Sequence, residues 1–320
     1  MRVLFVCSGN SKKFFINPFI AAQADSLVEA GVEIKYFLVK GKGLWGYLRR
    51  VFMLRKQLMS KEIDIIHAHY SLSGIMVSLA SIKGLGCSSK KIPVVVSLMG
   101  SDVKGAGRWL GVIRFLVRWS WDATVVKSRD MKVRLGLESP MVIPNGVNIQ
   151  IFKPMSGSEC RLRLGLSLEK NIILFGADPT RKVKNFPLAE DSVAGMSDRN
   201  CQLIALGSVP HAEVPVYLNA CDVLLLTSKW EGSPNIVKEA MACGTPVVST
   251  DVGDVRWLLE GLKGCFVTSQ DTCDIRQKLE RVLDLAGKTG GRERLVELGL
   301  DSVSVANRLI NLYLDVLGYC

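Results

Sequence analysis

The stretch Glu231-Gly-Ser-Pro-Asn-Ile-Val-Lys-Glu-Ala-Met-Ala-Cys-Gly-Thr-Pro-Val-Val-Ser-Thr250 predicts, in order, a loop, a short helix, a turn and a buried strand. Ser233 is a residue type that caps helix starts, and Pro234 suits the first helical position because no amide hydrogen is needed there. Gly244 can take the left-handed conformation that ends a helix, and Pro246 prevents the helix from continuing. A helix leading into a buried strand is typical of α/β proteins with parallel sheets.

The start of this predicted helix is suited to binding an anion. The exposed backbone amides of residues 233–236 and the positive end of the helix dipole together form a ready anion site. Glu231 precedes the helix, and Glu239 lies about 7.5 Å along it from Pro234, at about 1.5 Å per residue. A diphosphate flanked by two carboxylates would suit a nucleotide-sugar, since one carboxylate can reach the sugar hydroxyls and the other the ribose. The alternative is an ordinary capped helix with two solvated acids.

The same stretch resembles the Glu-x7-Glu signature of retaining GT-B glycosyltransferases, the enzymes of glycosyltransferase family 4 and glycosyl transferases group 1. In that family the first Glu faces the donor sugar, the helix start holds the diphosphate and the second Glu bonds the ribose. The Gly-Thr-Pro-Val-Val continuation makes the match specific, whereas a bare Glu-x7-Glu spacing often arises by chance. The resemblance implies these roles, in chain order, for Glu231, for Ser233, Pro234, Asn235 and Ile236, and for Glu239.

Short apolar runs alternate with helical patterns along the whole chain, which predicts parallel βαβ units. The turn-rich residues 143–154 interrupt this rhythm and resemble the link between the two domains of GT-B enzymes. The resemblance implies an α/β fold with two Rossmann-like domains, residues 1–152 and 153–301, that face a central cleft. It also implies that the last helix, about residues 302–318, crosses back onto the first domain. The predicted strands are residues 3–7, 32–38, 63–67, 93–98, 123–126, 141–143, 171–176, 201–207, 223–227, 245–250 and 264–267.

The turn after the first predicted strand is Ser8-Gly9-Asn10-Ser11. It lacks the Gly-x-Gly-x-x-Gly fingerprint of dinucleotide-binding proteins, which argues against a dehydrogenase. By resemblance, Gly9 belongs to a loop that lets the backbone approach the phosphates of the donor. A simple tight turn is the alternative.

Length and composition indicate a globular protein with two cores. The chain has 320 residues, of which 48% are hydrophobic and 22% are charged. No apolar run approaches the ~18 residues that span a bilayer, and the N-terminus lacks the cleavage site of a signal peptide. The nine cysteines show no Cys-x-x-Cys spacing, which favours reduced thiols over disulfides or zinc. The sequence therefore predicts a cytoplasmic protein.

Positive charge is concentrated in the first half of the chain. Residues 1–152 hold 22 Lys and Arg against 9 Asp and Glu, whereas residues 153–320 hold 19 against 21. This asymmetry indicates an anionic partner for the first domain. Nucleic acid is not expected as that partner, because no recognisable binding motif accompanies the charge.

Residues 40–61 combine seven basic residues, no acidic residue and an apolar stripe at helical spacing. This pattern fits an interfacial helix that rests on anionic lipid at the inner face of the cell membrane. It also fits a helix that packs on a sheet and exposes a basic face to solvent. A second basic and aromatic segment, residues 108–121, favours membrane contact.

Two histidines lie at the end of the third predicted strand. His67 is expected within the strand as a hydrogen-bonded core residue, while His69 falls at the carboxyl edge, where α/β proteins bind ligands. A His-x-His pair also occurs in metal sites, but no third ligand is evident nearby, so no metal is expected. The family often has a similar segment on the acceptor side of the cleft, which makes His69 a candidate catalytic residue.

The segment Ser97-Leu-Met-Gly-Ser-Asp102 departs from the family at one position. The family commonly has His-Gly-x-Asp here, and that His contacts the donor sugar. This chain has Met99 instead, and a thioether cannot donate a hydrogen bond or move a proton. The sugar contact is therefore assigned to backbone or to His69, while Gly100 and Asp102 are carried over as ligand-binding residues.

Several cations follow the first strand of the second domain, in residues 176–185. Lys184 matches a Lys that related enzymes use on the diphosphate. The usual Arg position holds Ala177, so Arg181 is taken as the substitute. Such cations stabilise the charge that grows on a departing diphosphate, which would remove the need for a metal. The alternative is a solvated basic loop.

Together these motifs predict transfer of a sugar from a nucleotide-diphosphate sugar to an acceptor hydroxyl, with retention and without a metal or other cofactor. The expected acceptor is a saccharide or lipid-linked saccharide of bacterial envelope or exopolysaccharide biosynthesis. Gly207 and Val209 match a segment that meets the nucleotide base through backbone, so the base is not identified. A GT-B-fold epimerase or phosphorylase and a non-catalytic protein that binds membrane or polyanion are the alternatives.

Overall fold

The chain divides into two compact units. The computed structural model describes residues 1–10, 15–41, 43–60, 62–81, 92–107, 109–207 and 209–319. The first unit consists of Met1–Gly146 and Ser302–Cys320, and the second of Val147–Asp301. The domain boundary predicted from the sequence lies between residues 152 and 153, whereas in the structure the first unit ends at Gly146 and the second begins at Val147. Three cations of the predicted basic segments lie outside the described residues: Lys42, Lys61 and Arg108.

The first unit is built on a parallel sheet. Its strands are β1 (Arg2–Ser8), β2 (Glu33–Val39), β3 (Ile65–His69), β4 (Val94–Ser97), β5 (Ala123–Val126) and β6 (Met141–Val142). They pair in the order β2-β1-β3-β4-β5-β6, and every pair is parallel. The strands are connected through α1 (Pro18–Glu29), α2 (Gly43–Ser60), α3 (Ser71–Ala80), α4 (Ser101–Lys104), α5 (Trp109–Trp119) and α6 (Arg129–Leu135).

The second unit repeats this architecture. Its strands are β7 (Asn171–Phe175), β8 (Cys201–Ala205), β9 (Val223–Leu226), β10 (Val247–Thr250) and β11 (Phe266–Thr268). They form a parallel sheet in the order β11-β10-β9-β7-β8. The helices are α7 (Gly157–Leu164), α8 (Phe186–Ala194), α9 (Val214–Ala220), α10 (Asn235–Ala242), α11 (Val255–Leu259), α12 (Thr272–Leu285) and α13 (Gly291–Glu297).

The last helix, α14 (Ser302–Leu317), belongs to the first unit and packs against α1. It is the crossing helix that the family resemblance implied. Together α1 and α14 cover the sheet face that carries Val3, Phe5 and Cys7. The opposite face, with Leu4 and Val6, is covered by α2, α3 and α5. Alternate residues of β1 therefore enter two separate cores, as the side-chain period of a strand requires.

All the predicted strands are present, and their ends agree with prediction to within two residues. The turn after α10 also agrees, since Gly244 has a left-handed φ of 69°. Its amide donates to the Met241 carbonyl at 3.0 Å, and the amide of Thr245 donates to the Ala240 carbonyl at 2.9 Å. These two bonds form a Schellman motif, which ends the helix and directs the chain into β10.

Candidate active site

The order of the second sheet places two loops side by side. Along this sheet the chain order reverses between β7 and β9, and α/β proteins bind ligands outside the carboxyl ends of the strands at such a reversal. Residues 176–185 follow β7, and residues 227–234 follow β9. Lys184 and Glu231, two predicted catalytic residues, lie on these two loops.

Hydrogen bonds tie the two loops together. The amide of Lys229 donates to the Val183 carbonyl at 2.9 Å, and Thr227 Oγ1 donates to the Asn185 carbonyl at 2.9 Å. A 3₁₀ turn, Lys182–Lys184, ends at Asn185, whose φ of 54° is left-handed. Asn adopts this conformation more readily than most other non-glycine residues. The first loop therefore folds back so that Lys184 reaches the second.

Lys184 Nζ forms an ion pair with Glu231 Oε1. Only 10% of the Lys184 side chain and 16% of the Glu231 side chain are exposed, so water screens this pair weakly. Ser228 Oγ donates to the same carboxylate oxygen at 2.7 Å. An ammonium has three N–H donors, so Lys184 can bind Glu231 and an anionic ligand together. The structure thus joins two residues that are far apart in the sequence.

The start of α10 differs from prediction. The helix begins at Asn235, and Pro234 is the N-cap residue, with an extended ψ of 111°. The prediction that Ser233 caps the helix and Pro234 is the first helical residue is therefore wrong. Ser233 lies one residue too early to cap, and its buried Oγ has no hydrogen-bond partner among the described residues. In the first turn of α10, the amide of Val237 donates to the Pro234 carbonyl at 3.2 Å.

The loop before α10 also packs closely on the turn after β10. Gly253 has a left-handed φ of 59°, and a Cβ there would lie 2.5 Å from the carbonyl oxygen of Gly232. Thr250 Oγ1 donates to the Ser228 carbonyl at 2.7 Å. Residues 228–233 are therefore held from both sides, by the loop after β7 and by the turn after β10.

Replacing Gly253 with Ala should lower the free energy of unfolding by about 2–4 kcal/mol. The left-handed backbone costs about 1 kcal/mol for a residue with a Cβ, and the clash with Gly232 adds a cost typical of overpacking. Denaturant unfolding measures the change. Gly261 is the matched control, since it has a φ of 76° and a Cβ added there would meet no atom within 4 Å. Gly261→Ala should lose only about 1 kcal/mol, and equal losses would contradict the close contact.

Glu239 lies on α10 with a side chain that is 9% exposed. Its Oε1 accepts a hydrogen bond from Nε2 of His211 at 2.9 Å. His211 begins a 3₁₀ turn, His211–Glu213, in the segment after β8. The hydrogen bond that His211 donates to the Glu239 carboxylate raises the pKa of His211 above its ordinary value. The sequence suggested only a surface or helix-start residue at 211, so this partner of Glu239 was missed.

The other predicted site residues of the second unit lie outside the Lys184–Glu231 pair. Arg181 is exposed, and its carbonyl accepts the Lys184 amide at 2.8 Å. Ala177, at the usual Arg position, is buried in the core. A Cβ on Gly207 would lie 3.5 Å from Pro179, and Val209 packs at the edge of the other core. The structure does not bring the Arg181 side chain into the Lys184–Glu231 pair.

The sheet order of the first unit also reverses, between β1 and β3. Gly9 follows β1, where its amide donates to the Val39 carbonyl at 2.9 Å. His69 is the last residue of β3 and is buried. Neither of its ring nitrogens has a hydrogen-bond partner among the described residues. Gly9 and His69 therefore flank the position where this kind of sheet binds ligands.

His67 is the hydrogen-bonded core residue that the sequence predicts. Its Nδ1 lies 2.5 Å from the Tyr313 hydroxyl and its Nε2 lies 2.8 Å from Ser97 Oγ. The His69 ring stacks on it with a centroid distance of 4.4 Å. Burial lowers the pKa of His67 well below its ordinary value and that of His69 to about 3. Both imidazoles are therefore neutral at physiological pH.

Asp102 organises the neighbouring loop through its buried carboxylate. One oxygen accepts hydrogen bonds from the amides of Met99 and Gly100, both at 2.9 Å. The other accepts from the amide of Ser71 at 3.0 Å, at the start of α3. Burial raises the pKa of Asp102 to about 6, although these amide donors oppose the shift. Asp102 thus joins the loop after β4 to the loop after β3.

Within the described ranges, no three His, Cys, Asp or Glu side chains are grouped as a metal site would require. The same part of the chain contains no helix both long and apolar enough to cross a bilayer. Seven cysteines are described, and all are free thiols. Cys87 and Cys320 lie outside the described residues.

Proteins of known structure share the fold of the two units. Sucrose-phosphate synthase from Thermosynechococcus elongatus superposes with a TM-score of 0.79 over 100% of both chains, at 17% identity. HepE from Anabaena, solved in complex with UDP and glucose, superposes with a TM-score of 0.72 over 98% of this chain and 99% of that chain, at 17% identity. The two parallel-sheet α/β units are those of a GT-B glycosyltransferase.

Sequence comparison identifies the family. Residues 2–151 match Glycosyltransferase Family 4, and residues 167–285 match Glycosyl transferases group 1. The chain belongs to the family 4 and group 1 glycosyltransferases.

Two curated relatives are informative. The putative teichuronic acid biosynthesis glycosyltransferase TuaC of Bacillus subtilis is 29% identical over 248 residues, which are 69% of this chain and 62% of that protein. The chain therefore spans less than two thirds of the length of TuaC. The UDP-Gal:alpha-D-GlcNAc-diphosphoundecaprenol alpha-1,3-galactosyltransferase of Escherichia coli is 23% identical over 314 residues, which are 84% of this chain and 80% of that protein.

Proposed function

We propose that the protein transfers a sugar from a nucleoside diphosphate sugar to an acceptor hydroxyl, with retention of configuration and without a metal. The observation that carries this proposal is the Lys184–Glu231 ion pair, which lies at the reversal of the second sheet. A cation, a carboxylate and the first turn of α10 all follow neighbouring strand ends there. This combination suits an anionic diphosphate joined to a polyhydroxylated sugar.

In the proposed reaction, the bond between the sugar anomeric carbon and the phosphate oxygen breaks, and negative charge grows on the diphosphate. Lys184 and the first-turn amides of α10 stabilise that charge. The sugar develops oxocarbenium character. The acceptor oxygen then bonds to the anomeric carbon from the same face, and its proton passes to the departing phosphate oxygen. No protein nucleophile is assigned.

The remaining predicted residues receive binding roles in this proposal. Glu231 orients the sugar hydroxyls and Glu239 the ribose hydroxyls. The backbone at Gly207 and Val209 meets the base, and Arg181 supplies positive charge at the loop surface. In the first unit, His69 contributes a neutral imidazole, and Gly9, Gly100 and Asp102 shape the surrounding loops. We propose no cofactor other than the donor substrate.

The names of the relatives support a choice of substrates. One solved neighbour carries UDP and glucose, and one relative is named for UDP-Gal and a diphosphoundecaprenol-linked sugar. TuaC is named for teichuronic acid biosynthesis. We therefore propose a UDP-sugar donor and a saccharide or lipid-linked saccharide acceptor in bacterial envelope or exopolysaccharide biosynthesis.

A thermal-shift screen against UDP-, GDP-, ADP- and CDP-sugars tests the donor proposal, because a ligand that binds only the folded state raises the melting temperature. Selective stabilisation by one class supports it, and the anomeric configuration of the product, read by NMR, then tests retention. No stabilisation by any of these donors would contradict the proposed function. Turnover of the donor without an acceptor would instead favour an epimerase.

We also propose that the first unit rests on an anionic membrane at the cytoplasmic face. The helix α2 buries Tyr47, Leu54 and Leu58 in the core of the first unit, so it is a sheet-packing helix on that side. Its outer side combines apolar and basic residues at helical spacing, and all of them are exposed: Trp45, Arg49, Phe52, Lys56 and Met59. In the same layer, α5 exposes Trp109, Phe115 and Trp119. Aromatic residues interleaved with cations suit the lipid interface.

Replacing both Trp45 and Phe52 with Ser should weaken binding to vesicles that contain anionic phosphatidylglycerol by about tenfold or more, because each aromatic ring buries apolar area at the interface. Co-sedimentation measures the partition coefficient. Leu162→Ser is the matched control, since Leu162 is 67% exposed but lies in the second unit, and it should bind like the wild type. Equal binding by the double variant, or none by the wild type, would contradict membrane contact.

A further inference from the structure

Among the three histidines of this chain, His211 is the one whose pKa is raised above its ordinary value. Burial keeps the pKa values of His67 and His69 low. The side chain of His211 is 35% exposed, whereas that of its partner Glu239 is 9% exposed. His211 therefore lies on the solvent side of the carboxylate and can exchange its proton without unfolding.

The packing around His211 fixes the direction of its ring. The centroid of the Phe152 ring lies 5.5 Å from that of the imidazole, with the planes tilted by 53°. Phe152 is buried, and its carbonyl accepts a hydrogen bond from Arg292 at 3.0 Å. With the ring held in this way, Nε2 points to Glu239 Oε1 at 2.9 Å. Oε1 of Glu239 is therefore engaged by His211.

The charged groups near His211 leave Glu239 as its main electrostatic partner. Glu213, on the same 3₁₀ turn, is held by Arg163 at 2.7 Å. On α10, Lys238 is fully buried next to Glu239, and burial lowers its pKa to about 8. Protonation of His211 makes the His211–Glu239 pair neutral, whereas loss of the proton leaves it with a net negative charge.

We propose that His211 is a positioning residue for the nucleoside half of the donor, acting through Glu239. The protonated imidazole holds Oε1 of Glu239, so that the other oxygen accepts hydrogen bonds from the ribose hydroxyls. It also cancels a negative charge that would repel the donor diphosphate. This inference rests on the proposed function, in which Glu239 binds the ribose.

The raised pKa of His211 sets the direction in which affinity for the donor changes with pH. Below that pKa the pair is neutral and the donor binds well. As pH rises through it, the pair becomes negative and affinity for a diphosphate falls. The same contact is present in the ground state and the transition state, so the change belongs in donor affinity and not in kcat.

Two measurements test the inference. First, NMR of the imidazole carbons follows each histidine with pH, and His211→Gln identifies its resonance. One histidine should titrate above its ordinary pKa, and Glu239→Gln should lower that pKa. Second, calorimetry measures the Kd of whichever nucleoside diphosphate, among UDP, GDP, ADP and CDP, stabilises the wild type most. The ratio of the His211→Gln Kd to the wild-type Kd cancels the titration of the phosphates themselves.

The Kd of His211→Gln should exceed the wild-type Kd by about three- to tenfold at about pH 6, as expected for loss of a charge-assisted contact. At about pH 9 the two Kd values should be about equal. Glu213→Gln is the matched control on the same turn and should bind like the wild type at both pH values. A ratio that does not change with pH, or a His211 pKa unaffected by Glu239→Gln, would overturn this inference alone. Failure of all four nucleotides to bind the wild type would overturn the proposed function and this inference with it.

Discussion

Replacing Lys184 with Met should lower kcat for sugar transfer by about 100- to 1,000-fold, the usual cost of removing one preorganised donor from a developing oxyanion. The Met side chain is similar in length but carries no charge, so the departing diphosphate loses its cation. The KM for the donor should rise as well, since the ground-state diphosphate is already anionic. Steady-state kinetics with the donor chosen by the thermal-shift screen measures both constants.

Two controls separate this effect from a loss of structure. Lys182→Met, in the same 3₁₀ turn but on an exposed residue, should leave kcat within about twofold of the wild type. Lys184→Met alone leaves Glu231 partly buried without its cation, at a stability cost of about 2 kcal/mol. Adding Glu231→Gln should restore that stability without restoring activity. Recovery of activity in the double variant would mean that the ion pair is structural only.

Replacing Glu231 with Gln should lower kcat by about 100-fold or more, because misplacing the sugar by as little as about 1 Å can cost that factor. Gln has the same size and keeps one acceptor, so the loop held by Ser228 and Thr250 should remain folded. The measurement is kcat together with the melting temperature of the variant. The same substitution at Glu190, an exposed residue of α8, is the control and should change neither.

A well-folded Glu231→Gln protein with wild-type turnover would remove the proposed role of this carboxylate. A low melting temperature with proportionally low activity would instead assign Glu231 a structural function. The two outcomes are distinguishable because kcat per folded molecule is measured separately from stability.

The fold was predictable because its signals are local. Each strand of the second unit is a short apolar run, and Gly244 and Pro246 end α10 through backbone conformations that few other residues favour. The start of α10 was less predictable, because Ser233 and Pro234 are both favourable near a helix start. In the structure Pro234 has an extended ψ and is the N-cap residue. The loop that precedes it packs closely on Gly253.

The candidate site was predictable only where a motif supplied it. Lys184 and Glu231 were named separately by resemblance, and the reversal between β7 and β9 brings them together although 47 positions separate them. The contact between His211 and Glu239 spans 28 positions. No periodicity or spacing in the sequence indicates it, since it depends on how the 3₁₀ turn after β8 packs against α10.

The contacts of Asp102 were also not predictable from the sequence. The partial match to His-Gly-x-Asp, with Gly100 and Asp102 retained, predicts a role for Asp102 but not whether its carboxylate faces a ligand or the backbone. In the structure both of its oxygens accept amide hydrogen bonds from the loops after β3 and β4. The pattern of residues cannot reveal this, because the amide of Ser71 comes from a different loop.

A crystal structure with the nucleoside diphosphate chosen by the thermal-shift screen tests the central claim most directly. The account predicts that the phosphate oxygens lie about 3 Å from Lys184 Nζ and from the amide of Ile236 in the first turn of α10, within hydrogen-bond distance. A diphosphate bound elsewhere, with Lys184 and the start of α10 uncontacted, would contradict it.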